Sequence, residues 1–290
     1  MTTRFKAACV QLRSGREVAP NIAVAAELIG KAADQGAQFI ATPENTSVME
    51  NERARLFEKV VAEDADHGLA VFRDLAARRA VWLLIGSLPI KVAADKIANR
   101  SFLIGPDGRI AARYDKIHMF DVDLPNGETY RESKNYQPGE VPVVAPLPWG
   151  QLGLTICYDM RFPYLYRSLA HAGATILAAP SAFTKHTGEA HWHVLLRARA
   201  IETGSFVIAP AQGGMHENGR ATFGHSLIIA PWGEILAEGG TEPGVFVADI
   251  DMGKVAEARS KVPSLTHDRS LSPVIVAETG ESENAAGGVA

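Results

Sequence analysis

The 290-residue chain holds two cysteines, Cys9 and Cys157. Two thiols make no disulfide framework, so a reducing compartment is expected. No apolar stretch is long enough to cross a membrane, and no apolar leader with a cleavage site precedes the first strand-like run. The expectation is a cytoplasmic protein without a membrane partner. Charge of one sign is also missing: 29 lysines and arginines stand against 33 acids, for a net charge of −4. With no basic run either, nothing pulls the chain toward nucleic acid. The glycine-rich stretches at 213–219 and 239–244 lack phosphate-loop spacing, and neither His-Glu-x-x-His nor Cys-x-x-Cys occurs. The Asn-x-Ser patterns at Asn45 and Asn99 read as chance in a chain with no export signal.

What is present is ordinary globular material, 47% hydrophobic and 21% charged. Phe5–Leu12 reads as a strand, and Ile22, Ala25, Ala26, Ile29 and Ala33 share one helical face. Gly36 ends that helix, and Gln38–Thr42 follows as a second strand. Helical segments over Arg53–Ala62 and Leu69–Arg79 lead to the buried-strand run VWLLIG at 81–86. This β-α-β alternation predicts an α/β fold with helices packed on sheet faces.

The chain then repeats itself. RSFLIGPDGRIAARYDK at 100–116 is a hairpin around Pro-Asp-Gly, and HSLIIAPWGEILAEGGT at 225–241 has the same form. Upstream, FIATPEN (39–45) matches ILAAPSAF (176–183), and WLLIGSLP (82–89) matches FVIAPAQG (206–213). Two such halves, each a sheet with helices outside, predict a four-layer α-β-β-α sandwich with an internal pseudo-two-fold repeat. A single domain is expected over residues 1–270. Residues 271–290 form a C-terminal extension whose last ten or so small, polar residues read as a mobile tail.

Three polar residues stand where strands end: Glu44 after FIATP, Lys116 in RYDKIHMFD, and Cys157 in GLTICYDMRFP. Ligands of open α/β sheets gather beyond strand carboxyl ends. Pro163 and the apolar Phe162, Leu165 and Leu169 predict a helix just past Cys157. A thiol at such a corner lies near helix-opening N–H groups that stabilise a thiolate or an oxyanion. A buried structural cysteine fits the same pattern. At this point both readings stand.

The blocks ATPEN, RYDKIHMFD, GLTICYDMRFP, PSAF, AHWHVLLRARAIET, GHS and PWGE, in this order over residues 4 to about 270, resemble the nitrilase or carbon–nitrogen hydrolase superfamily. The resemblance implies a catalytic Glu44, Lys116 and Cys157 on the α-β-β-α sandwich, with Glu132 as a second glutamate. In that chemistry Glu44, its pKa raised by its pocket, takes the thiol proton as Cys157 attacks an amide carbonyl. Lys116 and the Tyr158 backbone N–H hold the oxyanion. A thioester forms on Cys157, and water activated by Glu44 releases the acid, so that the products are acid and ammonia. No cofactor and no metal is needed.

CYDMRFP, PSAFTKHTGEAHW and AIETGSFVIAPAQGG are most similar to the small ω-amidases, and the later blocks to deaminated glutathione amidases. That similarity implies a small carboxylate-bearing amide, deaminated glutathione first and α-ketoglutaramate second, with Arg161, Phe183 and Thr187 as candidate binding residues. It also implies a homodimer or larger even assembly. Nitrile hydrolysis, a Cys–His hydrolase using His118, and a silent scaffold are the alternatives. His191 and His193 in AHWHV stand two apart on a helix and make a poor chelate.

Overall fold

The computed structural model describes residues 3–125 and 127–276. The first half runs β1 (Arg4–Gln11), α1 (Val18–Asp34), β2 (Phe39–Ala41), α2 (Arg53–Lys59), α3 (His67–Arg79), β3 (Trp82–Lys91), β4 (Ile97–Ile104) and β5 (Ile110–Asp115). A small ribbon, β6 (Asp121–Asp123) with β7 (Thr129–Arg131), leads on to β8 (Val143–Leu147). The second half continues with β9 (Gly150–Leu154), α4 (Pro163–His171), β10 (Ile176–Ala178), α5 (Lys185–Thr203) and β11 (Phe206–Ala209). Another ribbon, β12 (Gly213–Met215) with β13 (Ala221–Phe223), precedes β14 (Leu227–Ile229), β15 (Ile235–Glu238), β16 (Gly244–Asp251) and α6 (Gly253–Lys261).

The repeat seen in the sequence is a repeat in space. One six-stranded sheet has the order β16-β1-β2-β3-β4-β5, and the other reads β8-β9-β10-β11-β14-β15 in the same sense. In each, three parallel central strands are flanked by antiparallel neighbours. The first sheet takes its edge strand β16 from the end of the chain, so the halves are interlocked. The pairing also sorts the two cysteines. Phe39 opposite Ala7 corresponds to Ile176 opposite Leu152, so Cys9 matches Leu154, and Cys157 matches Leu12.

Strand alternation builds the layers. Phe5, Ala7 and Cys9 of β1, with Phe39, Ala41, Leu84 and Leu103, meet the second sheet in one core. Ala8, Val10, Ile40, Leu83 and Ile85 point the other way, onto Ile22, Ala25 and Ile29 of α1 and Leu69 and Phe72 of α3. Leu165, Tyr166 and Leu169 of α4 and Trp192, Leu196 and Ala200 of α5 cover the second sheet. The result is the four-layer α-β-β-α sandwich.

Local signals set most helix ends. Asp66 accepts from Leu69 N at 2.7 Å to open α3, Pro163 occupies the first turn of α4, and Gly204 in the left-handed region (φ 56°) closes α5. The expected helix over Arg53–Ala62 is shorter, ending at Lys59. Val60 turns into a small core with Val48, Leu56 and Ile97, and the Val61 carbonyl accepts from Lys91 N, which draws this end into extended structure. Thr187 lies in the first turn of α5. Residues 267–276 carry no helix or strand. The mobile tail expected over the last ten residues lies outside the described residues.

Gly86 shows how closely the sheets approach. A Cβ there would stand 2.1 Å from the Thr42 carbonyl and 2.5 Å from Pro180 Cβ, on the loops that end β2 and β10. Gly86→Ala is therefore expected to cost about 3 kcal/mol by overpacking, read from the denaturation midpoint, and to lower activity by moving Pro43 and Glu44.

Candidate active site

Loops beyond the strand ends bring the sequence-predicted residues together. Glu44 follows β2 across Thr42 and Pro43, in a turn held by Thr46 Oγ1 donating to the Pro43 carbonyl at 2.7 Å. Lys116 directly follows β5, its N–H bonded to the Asn99 carbonyl at 3.0 Å. Cys157 opens a short 3₁₀ turn after β9, and its N–H donates to the Pro180 carbonyl at 2.9 Å. Its backbone is left-handed, with φ of 49°. A residue with a Cβ in that region carries strain of about 1–2 kcal/mol, which the surrounding packing must offset.

Glu44 and Lys116 are 3% and 2% exposed. The Lys116 ammonium donates to Glu44 Oε1 at 3.0 Å and to both Glu132 oxygens at 2.8 and 3.0 Å. Asn99 Nδ2 donates to Glu44 Oε1 at 2.9 Å and to Glu132 Oε1 at 3.2 Å. From the other half of the molecule, Ala182 N donates to Glu44 Oε2 at 2.8 Å. Gln212 Nε2 donates to the Glu44 and Asn45 carbonyls at 3.0 and 3.1 Å. Asn99, set aside as a chance glycosylation pattern, is 2% exposed and lies inside the site.

The charges follow from these contacts. Burial pushes Glu44 upward, but the Lys116 charge and hydrogen bond, with Arg220 behind them, hold it below its ordinary value. This corrects the expectation of a raised pKa: Glu44 rests as a carboxylate. Burial works against the Lys116 ammonium, yet Glu132 and Glu44 carry its pKa well above the ordinary value. Burial, and next the Glu44 charge, push Cys157 upward. A preformed thiolate is therefore disfavoured. The three groups rest as carboxylate, ammonium and neutral thiol.

A residue with no local sequence signal, Asp159, joins the turn that bears Cys157 to the segment following Lys116. Asp159, fully buried, accepts from Ile156 N at 2.8 Å and Tyr114 Oη at 2.7 Å on one oxygen. Its other oxygen accepts from His118 N at 3.0 Å and stands 2.7 Å from His118 Nδ1. His118, the candidate base of a Cys–His enzyme, is thus tied to Asp159 and stacks on Phe162 with centroids 3.5 Å apart. Arg199 braces the same turn by donating to the Met160 carbonyl at 2.8 Å.

Glu44, Lys116, Glu132 and Cys157 line one cavity of about 240 Å³. Phe183 and Thr187 line it as well, with Tyr158 beside Cys157. Arg161 does not. Its guanidinium lies against the Phe183 ring, 5.2 Å from the centroid, and Nη2 is 3.3 Å from His191 Nδ1. Besides Lys116, the cations on the wall are Arg131 and Arg220, from the two ribbon segments. Arg220 packs 5.1 Å from the Tyr130 ring centroid and donates from Nη2 to the Ala182 carbonyl. Its buried Nε has no acceptor among the described residues, and neither has Asn99 Oδ1 a donor. Arg220 sits in a polar ribbon with no local motif, so only the closing of the two halves could reveal it.

The sequence profile of the carbon–nitrogen hydrolase family matches residues 6–260. A deaminated glutathione amidase of Synechocystis sp. is 43% identical over 267 residues, covering 91% of this chain and 97% of that protein. The human omega-amidase is 35% identical over 270 residues, covering 92% and 96%. The crystal structure of the C. elegans NitFhit protein superposes with a TM-score of 0.87 at 34% identity, over 92% of this chain and 66% of that one.

The charge assignment fixes a pH response. Glu44 has a folded pKa below its unfolded value of about 4.3, so what its ionisation contributes is complete above that value and is lost as pH falls through the folded one. The acid limb of kcat/KM should therefore lie below the ordinary carboxylate range, with no limb near the usual thiol value of about 8.5. Alkylation of Cys157 by iodoacetamide at pH 7 should slow by about 10²-fold in Glu44→Gln. An unchanged rate would show that the thiol does not depend on this base.

Proposed function

The chain belongs to the carbon–nitrogen hydrolase family and is an amidase, and from that premise we propose that it hydrolyses a small carboxylate-bearing amide through a thioester on Cys157, with deaminated glutathione as its preferred substrate. The observation that carries the reaction is the buried Glu44–Lys116–Glu132 cluster against the Cys157 thiol. Glu44 accepts the thiol proton as sulfur attacks the carbonyl carbon. The developing oxyanion is held by the Lys116 ammonium and the Tyr158 N–H, each worth about 3 kcal/mol in such sites. Glu44 returns the proton to the leaving nitrogen and then activates water against the thioester. Glu132 keeps Lys116 charged and aimed, and Phe120 N at 2.6 Å fixes Glu132 in turn. Asn99 Oδ1 is free to accept an amide N–H of the substrate.

A substrate carboxylate calls for a cation on the wall. Arg220, with its Nε lacking an acceptor among the described residues, supports that role better than Arg161, which touches the cavity only through Phe183 and Tyr158. The cavity size fits a small molecule and no polymer. The preference for deaminated glutathione rests on the identity of 43% to the Synechocystis amidase against 35% to the human omega-amidase. α-Ketoglutaramate is the second reading. The two differ in leaving group. α-Ketoglutaramate releases ammonia, whereas deaminated glutathione is a secondary amide whose leaving group is a dipeptide amine. The expectation of ammonia therefore holds only for the second substrate.

We also propose a cytoplasmic homodimer. Among the described residues no helix is long and apolar enough to cross a membrane. Tyr164 on α4, Val194 on α5, and Leu271, Val274 and Ile275 beyond the domain are all exposed, an apolar surface that a second copy would cover.

Release of the 2-oxo diacid common to both substrates gives one readout for the comparison. A higher kcat/KM on deaminated glutathione is expected, and the reverse order would make this an ω-amidase. Lys116→Met should lower kcat by at least about 10²-fold on either substrate. Arg220→Met should instead raise KM by about 10- to 100-fold, the worth of one charge-assisted hydrogen bond. An unchanged KM would remove Arg220 from substrate recognition.

A further inference from the structure

Away from the cavity, tertiary structure gathers a second set of reactive side chains. His193 lies midway along α5, His225 in the turn before β14, and Glu238 at the end of β15. His193 Nε2 and His225 Nδ1 stand 2.9 and 3.0 Å from the same atom, Glu238 Oε1. The three donor atoms lie within 4.8 Å of one another; both histidines are half-buried and the glutamate is exposed. His191, the other histidine of AHWHV, turns away toward Arg161.

The set is held in place before anything binds. His225 has a left-handed backbone, φ 52°, a conformation that its neighbours must maintain. Its N–H donates to the Gly240 carbonyl at 2.7 Å, and its carbonyl accepts from Trp192 Nε1 at 2.7 Å. Its ring stacks on Phe223 with centroids 4.4 Å apart, and the His193 ring meets the same phenyl edge-on at 5.9 Å. Neither imidazole is a free rotor.

We propose that His193, His225 and Glu238 bind one divalent cation of the zinc class, with water completing the shell. Two imidazoles and a carboxylate are a common zinc donor set, with metal–ligand bonds of about 2.0–2.2 Å that keep donors roughly 3.3–3.5 Å apart. Opening the two contacts to Oε1 needs movements on the order of half an ångström. Each ring offers the metal the lone pair of the nitrogen now facing Glu238 and carries its proton on the other nitrogen. None of the three residues lines the cavity. The cation takes no part in amide chemistry; it clamps α5, whose first turn carries Thr187, to the β14–β15 hairpin.

The test uses untagged Cys157→Ala protein, so that the catalytic thiol cannot compete for metal, stripped with chelator and titrated with Zn²⁺ by calorimetry. One equivalent should bind, and at a hundredfold excess over Kd the melting temperature should rise by about 5 °C. Glu238→Gln and His193→Gln, added separately, should weaken binding by at least about tenfold while leaving the metal-free melting temperature unchanged. Absence of saturable binding, or one equivalent bound equally well by both variants, would overturn the proposal.

Discussion

A buried ammonium between two carboxylates is the constraint on which the rest of the active site depends. Lys116 is removed from water, and only Glu44 and Glu132 together make its charge tolerable there. Its charge in turn keeps Glu44 ionised against burial. The ionised carboxylate, with burial, then keeps the adjacent thiol protonated. Each protonation state is set by its neighbour.

The duplicated fold supplies this arrangement once only. Reading the repeat across, Glu44 corresponds to Ser181, Lys116 to Thr241 and Cys157 to Leu12. The second half contributes Cys157 and the N–H of Ala182 that grips Glu44, while the first contributes both Glu44 and Lys116. Sheet-to-sheet packing therefore does more than bury apolar surface, because it brings strand ends from both halves to one point. Gly86, which leaves no room for a Cβ between Thr42 and Pro180, marks how close that approach is.

Around Cys157 and Lys116, a set of buried hydrogen bonds fixes geometry. Asp159 ties the turn that bears Cys157 to the segment following Lys116, and Arg199 ties the same turn to α5. Both residues act through others, so neither announces itself in a list of reactive side chains. The His193–His225–Glu238 cluster makes the same point on the outer face. Its members are 32 and 13 residues apart in the chain and meet only because a helix crosses a hairpin.

The sequence by itself determined the alternation of strands and helices, the internal repeat and the strand-end positions of Glu44, Lys116 and Cys157. Those depend on local periodicity, on turn chemistry and on reactive residues that interrupt apolar runs, all of which are written in short windows. It reached Phe183 and Thr187 through resemblance, and by the same route named Arg161, which stands behind Phe183. Tertiary structure alone decided that Arg220 and Asn99 face the cavity, that His118 is tied to Asp159, and that Glu44 rests below its ordinary pKa. The physical reason is common to all of these. A charge state or a pocket wall is set by groups that are distant in the chain, and neither burial nor a partner's charge exists until the two sheets have closed on each other.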